Sequence, residues 1–347
     1  MCYNNANEKG AIFLKLNVLF QSGMVLAAGK PIRIFGTGCG HVRVDFLNMT
    51  AECDSDGGDW LIELDPQTYG GPYELAVELG DERITLTDVW VGEVLLLHGQ
   101  SNMKFMLEES NYPTDRYENE ERLRLFSLEY PTEACPFERA DGWVHCTAEN
   151  AGKWSAIGYH VGLRLSRELG CAVGLIAATQ GASVIQSWLP EGTEARLGIS
   201  LTPEQRHVDY SYPAYSAWNR DGLLYHFAIE PIIPCAISHV VWYQGESNTT
   251  EAEGAVYDQL LTALIEQRRR DFDDAELAFV VVQIADYHKR DDEGWRAVQH
   301  AQVRVGERVA GVCTVISRDV CESNHIHPPT KILLCDRICE AILEKIK

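Results

Sequence analysis

The alternation of hydrophobic and polar positions divides the chain in two. Up to about residue 88, short runs such as IRIF, VRVDF, WLIEL, YELAVEL and RITLTDV alternate with period two. They are rich in β-formers and separated by the turn clusters GTGCG, DSDGGD and YGGP. This pattern predicts a small all-β domain over residues 1–88, a sandwich or jelly roll. GTGCG lacks the Gly-Lys-Ser/Thr ending and the strand–loop–helix setting of a phosphate loop, so it reads as a turn.

From about residue 89 the pattern changes. Near-continuous apolar runs occur at Val91–Leu97, Val173–Ala177, His239–Tyr243, Leu277–Ile284 and Val312–Ile316. Amphipathic stretches lie between them; one places Ile157, Val161 and Leu165 on a single helical face. Strands buried on both sides and alternating with helices predict a parallel sheet covered on both faces over residues 89–347. Ligands of such folds bind at the carboxyl ends of the strands. The residues just after each apolar run are therefore the candidates for chemistry.

Composition narrows the function. The chain has 347 residues, 46% hydrophobic and 23% charged, as expected of a globular protein with a real core. Its formal net charge of −21 makes nucleic acid and anionic membrane poor partners. No apolar run approaches the ~18 residues of a membrane span. The cluster Arg268–Arg270 lies on a helical pattern and reads as a solvated face. The N-terminal stretch lacks the pattern of a secretory leader, and the 11 scattered cysteines read as free thiols. Both point to the cytoplasm. Cys335 and Cys339, spaced i, i+4 among Ile and Leu, read as buried thiols rather than as metal ligands. No metal and no cofactor are expected.

The strand ends share a theme. They carry Gly99-Gln100-Ser101-Asn102, Gln180-Gly181-Ala182-Ser183, Gln244-Gly245-Glu246-Ser247-Asn248, the stretch from Gln283 to His288, and the stretch from Ser317 to Lys331. A serine becomes a useful nucleophile only with a base in hydrogen-bond reach and donors for the developing oxyanion. Ser101, at a strand-to-helix turn, is the candidate nucleophile. His325 and His327 are both candidate bases. The backbone N–H groups of Ser101 and Gly181 and the side-chain amide of Gln244 are candidate oxyanion donors. Asp286 and His288 read as a solvated loop, and Trp242 as core.

These motifs resemble the sialate O-acetylesterase family, a branch of the SGNH-type carbohydrate esterases. VWVGEVLLLHGQSNM is similar to its nucleophile segment, GASVIQSW to its second block, VVWYQGESN to its third and HIHPPTK to its histidine block. The N-terminal LFQSGMVL and GGPYELAV are also similar to the β domain that precedes the esterase domain there. The resemblance implies a three-layer α/β/α SGNH-hydrolase-like domain and a serine esterase that removes O-acetyl groups from a mono- or oligosaccharide, foremost sialic acid. Acetylated xylan or another plant glycan is the alternative substrate, and a non-catalytic carbohydrate-binding protein the alternative class. It implies Ser101 as nucleophile, His327 as base, oxyanion donors at Ser101, Gly181 and Gln244, and substrate contacts from Gln100, Glu246 and Asn248. One position departs from the family: Asn324 stands where an aspartate normally orients the histidine. Three outcomes are open: Asn324 itself, or a backbone carbonyl beside a Ser-His dyad, orients the ring; a nearby acid, Glu322 or Asp319, takes that role; or activity is weakened. Ala182 stands where the second block normally has glycine.

Overall fold

The computed structural model describes residues 13–128, 142–207, 217–290 and 292–346. Residues 1–12 of the stretch read for a secretory leader lie outside the described residues, as do Cys2 and Cys135.

One sheet runs through the molecule. Its first strands are β1 (Lys15–Leu16), β2 (Val25–Ala27), β3 (Ile32–Phe46), β4 (Met49–Leu64), β5 (Gly70–Leu79) and β6 (Glu82–Gly99). Then come β7 (Glu120–Leu128), β8 (Val144–Cys146), β9 (Ala172–Thr179), β10 (His239–Tyr243), β11 (Ala278–Val282) and β12 (Val312–Val315). β3 pairs antiparallel with β4 and β5, and β5 pairs antiparallel with the first half of β6. The second half of β6 pairs in parallel with β9 on one side and β10 on the other. β7 extends the parallel sheet beyond β9, and β11 and β12 extend it beyond β10.

The division drawn after residue 88 therefore falls inside β6, and the sheet is hydrogen-bonded straight through it. The change in pattern is real, but it marks a change of partners within one strand. In its antiparallel half β6 buries only Leu86 and Val89; from Val91 to Gly99 every residue is buried, because that half is covered on both faces.

The helices are α1 (Ser101–Lys104), α2 (Ala156–Leu169), α3 (Thr193–Arg196), α4 (Glu251–Asp271), α5 (Glu293–Arg308) and α6 (Ile332–Ile346). α2 packs with α6, and α4 with α5. Local chemistry explains their ends. Ser155 caps α2 by accepting from the Gly158 N–H, and Gly170 closes it in the left-handed conformation at φ 64°. Thr250 and Glu253 form a capping box at the start of α4.

The parallel strands lie in the order β7-β9-β6-β10-β11-β12, so the earliest of them in sequence is flanked by later ones on both sides. The strand order reverses around β6. In an open α/β sheet that switch point is where ligands bind, and Ser101 is the first helical residue after β6. Among the described residues no helix is long and apolar enough to cross a membrane.

Candidate active site

Gly99 sets the direction in which the chain leaves β6. It has φ 137°, and a Cβ there would lie 2.1 Å from the carbonyl oxygen of Tyr243 on β10. Only glycine permits both that backbone and that approach. The chain then turns at Gln100, whose N–H donates to Tyr243 O at 2.9 Å. The Gln100 carbonyl oxygen Oε1 accepts from the N–H groups of Gly245 and Ser247 at 3.2 and 3.3 Å. Gln100, expected to contact substrate, is buried and uses this oxygen to tie the third strand end to the first.

α1 begins at Ser101, so the Ser101 N–H has no acceptor within the helix. Among the described residues neither it nor the Gly181 N–H has a hydrogen-bond acceptor. Gly181 lies against the serine: a Cβ on it would be 3.8 Å from the Ser101 Cβ. Ala182 has φ 53°, the left-handed region, which explains physically why glycine is the ordinary residue there. Asn219 holds this turn from both sides, donating to Ala182 O at 2.8 Å and accepting from the Val184 N–H at 2.9 Å.

His327 Nε2 lies 2.8 Å from Ser101 Oγ. His325 is exposed and makes no such contact, so the geometry separates the two candidate bases. Burial, and then the positive charge of Lys331, push the His327 pKa below its ordinary value, while Glu109 acts in the opposite direction. Both lowering effects favour the neutral ring, whose Nε2 can accept the hydroxyl proton.

The orienting group expected from the sequence is not there. Asn324 is exposed, and His327 Nδ1 has no hydrogen-bond partner among the described residues. Glu322 turns both carboxylate oxygens to Thr330, to its Oγ1 and to its N–H. Asp319 pairs with Arg337 at 2.6 Å. The histidine loop is fixed by other contacts: Asn102 Nδ2 donates to Ile326 O at 3.0 Å, and the Asn111 N–H donates to Pro329 O at 3.1 Å.

Two further expectations change with the geometry. The Gln244 amide is fully buried, and its Nε2 donates to Ser183 O at 2.9 Å and to Asn248 Oδ1 at 2.8 Å. With both N–H bonds committed, Gln244 has none left for an oxyanion. Asn248 is the centre of a closed network: its Oδ1 accepts from Gln244 and from the Ile185 N–H, and its Nδ2 donates to Gln186 and Glu253. It braces the loops instead of facing a ligand. Glu246 is also buried; its Oε1 accepts from Asn102 Nδ2 at 2.6 Å, and its Oε2 has no hydrogen-bond partner among the described residues. Burial pushes its carboxyl pKa up.

The residues that sequence reasoning undervalued are Asn102 and Lys331. The signal was present, since Asn102 lies inside the nucleophile segment and Lys331 closes the histidine block. Lys331 is 2% exposed and donates to Asn102 Oδ1 at 2.9 Å.

Elsewhere, Cys335 and Cys339 are buried in the core, as expected of packed thiols, and Trp242 lies fully buried in β10. Asp286 accepts from Gln299 and Arg318, and His288 Nδ1 lies 2.9 Å from Ser323 O, bracing the histidine segment. Among the described residues no group of three or more His, Cys, Asp and Glu side chains could hold a metal ion. A hydroxyl donating to a neutral imidazole, beside two unengaged backbone N–H groups, is chemically suited to acyl transfer.

The family described as carbohydrate esterase, sialic acid-specific acetylesterase matches residues 91–344. The sialate O-acetylesterase of Homo sapiens is 28% identical over 295 residues, covering 77% of this chain and 55% of that protein. The mouse protein of that name is 26% identical over 337 residues, covering 80% of this chain and 62% of its own length. The chain thus spans little more than half the length of the curated relatives it matches. The crystal structure of a carbohydrate acetylesterase from Xanthomonas citri superposes with a TM-score of 0.82 at 27% identity, over 94% of this chain and 74% of that one. The chain belongs to the sialic acid-specific acetylesterase family of carbohydrate esterases.

Proposed function

We propose that the protein hydrolyses O-acetyl esters of sugars, foremost of sialic acid, through an acetyl-enzyme on Ser101. The observation that carries this reading is the 2.8 Å contact between His327 Nε2 and Ser101 Oγ at the switch point of the sheet. Ser101 Oγ attacks the acetyl carbonyl carbon as its proton passes to His327 Nε2. The carbonyl oxygen becomes an oxyanion facing the N–H groups of Ser101 and Gly181. Collapse breaks the bond to the sugar oxygen, which takes the proton from His327. Water then attacks the acetyl-enzyme, gives a proton to His327 Nε2, and acetate leaves as Ser101 recovers its hydrogen. Sialic acid is favoured over a plant glycan by the family match and by the curated relatives. The cytoplasm is our proposed location, on the nine described cysteines, all free.

A second reading rests on one feature. Because Nδ1 of His327 meets no carboxylate among the described residues, the site is also suited to hold acetylated sugar without turnover. One experiment separates the two: acetate release from O-acetylated sialic acid and from acetylated xylo-oligosaccharide, with a chelator present, by wild type and Ser101→Ala. Release that depends on Ser101 supports the esterase, and the preferred sugar names the substrate. Binding by both proteins without release by either would establish the binding protein.

A further inference from the structure

Three buried polar side chains meet directly behind the serine. The Asn102 side-chain amide lies between Lys331 and Glu246: its Oδ1 accepts from Lys331 Nζ at 2.9 Å, and its Nδ2 donates to Glu246 Oε1 at 2.6 Å. The second N–H of the same Nδ2 donates to Ile326 O at 3.0 Å, one residue before His327. The chemistry of the partners fixes the orientation of this amide. Lysine can only donate and a carbonyl can only accept, so a flipped Asn102 would leave both unpaired. The nucleophile's neighbour thereby holds the backbone of the base's neighbour.

We propose that Lys331 is a positioning residue for the Ser101–His327 pair: through the single amide of Asn102 it clamps the turn that carries the serine to the loop that carries the histidine. The proposal deepens the esterase reading and rests on it for the meaning of the pair. The clamp stands in for the carboxylate that Asn324 does not supply. An orienting acid restrains the ring at Nδ1; here the restraint acts on the chain on either side of the ring. Lys331 sits at the far end of the same loop, just before α6, and is 2% exposed. Its ammonium lies 5.1 Å from the centre of the Phe105 ring and 5.6 Å from that of Tyr243. Phe105 in turn packs 6.0 Å from the His327 ring.

The clamp has an electrostatic consequence. The groups acting on His327 are Ser101 and Phe105 from the first strand end, Glu109 from the turn that follows, and Lys331. Those around Lys331 are Glu246 and Tyr243 from the end of β10, Cys321 and Glu322 from its own segment, and Cys335 from α6. A cation here disfavours a second cation on His327, so the base stays neutral and ready to accept a proton.

The test is Lys331→Met, which keeps the length of the side chain and removes its charge and its donors. Losing the ammonium leaves Asn102 Oδ1 without its donor and lowers stability, so thermal unfolding verifies that the variant is folded. With 4-nitrophenyl acetate as probe, kcat is expected to fall ~10- to 100-fold with KM little changed, as for a misplaced reacting pair. The His327 ring titration, followed by NMR in a Ser101→Ala background, is expected to move to higher pH when Lys331→Met is added. A merely structural lysine would not produce that shift. An unchanged His327 midpoint, or an unchanged kcat in the folded variant, overturns the proposal. Absence of Ser101-dependent hydrolysis in the wild type would overturn the esterase reading instead, and the NMR midpoint would still decide the clamp.

Discussion

His327 Nε2 lies 2.8 Å from Ser101 Oγ although the two residues are 226 positions apart in sequence. Nothing local brings them together. β6 delivers the serine to the centre of the sheet, and the loop after β12 carries the histidine back across β11 and β10 to meet it. The contact is therefore a product of the whole α/β unit, and its two members should act as one.

That unity is measurable. Ser101→Ala and His327→Ala are each expected to reduce kcat by at least ~10³ on an acetyl ester, and the double variant to lose little more than either alone. Steady-state kinetics on the three proteins checks this. Losses that multiply would mean that serine and histidine serve separate steps.

The base should also work below the usual histidine range. The mechanism needs neutral His327, and rate is lost as pH falls through its pKa. Burial and Lys331 lower that pKa from 6.5, so the acid limb of kcat/KM is expected below pH 6.5. Glu109 opposes the shift. Glu109→Gln is therefore expected to move the limb further toward acid, with the plateau rate little changed. A pH–rate profile of the two proteins decides the matter, and a limb that moves the other way would remove Glu109 from the field of the base.

Much of this site was legible in the sequence because strand ends in an α/β sheet announce themselves. Ser101, Gly181 and His327 each follow an apolar run, and each lies at the reacting centre. What could not be read was the direction of the amides. Gln244 and Asn248 occupy motif positions suited to a ligand, yet each spends its hydrogen bonds on the neighbouring loops. Spacing says which residues converge; only coordinates say which donors are still free once they have converged. The same limit hid the strand that passes through residue 88, since a change of period looks identical whether a domain ends or a strand changes partners.

Acid should weaken the fold, and His160 identifies part of the cause. It packs edge-on against Tyr112 with centroids 4.6 Å apart, and burial pushes its pKa down to about 4. The unfolded chain, at 6.5, then binds a proton before the folded chain does. Stability is therefore complete above pH 6.5, falls as pH drops below it, and stops falling near the folded value. Between about pH 7.5 and about pH 5.5 the loss from such a histidine is about 1 kcal/mol. His160→Phe keeps the aromatic contact and is expected to flatten this part of the dependence, as read from urea midpoints at the two pH values. An equally steep dependence in the variant would mean that His160 already takes up protons freely in the folded chain.

The last prediction concerns the Arg268–Arg270 cluster, which composition alone assigns to solvent. Arg270 is exposed, as expected, but Arg268 is 0% exposed. Its guanidinium bonds Asp271 Oδ2 at 3.0 Å, donates to the carbonyl of Trp188, and lies 3.3 Å from His98 Nε2. His98 precedes Gly99 on the nucleophile strand, its Nδ1 lies 3.0 Å from Ala178 O on β9, and burial holds its pKa well below the ordinary value. One buried cation thus ties α4 to the ends of the two strands that carry Ser101 and Gly181. Removing one member of a buried, hydrogen-bonded ion pair leaves its partner uncompensated and costs about 3–5 kcal/mol. Arg268→Met is expected to lose stability on that scale, and Arg270→Ala less than about 0.5 kcal/mol. Replacing the pair together, Arg268→Met with Asp271→Leu, should recover part of the loss, because no charge is then left stranded. Urea unfolding of the four proteins checks the pattern. Equal sensitivity at positions 268 and 270 would mean that the cluster is the solvated face its composition suggests.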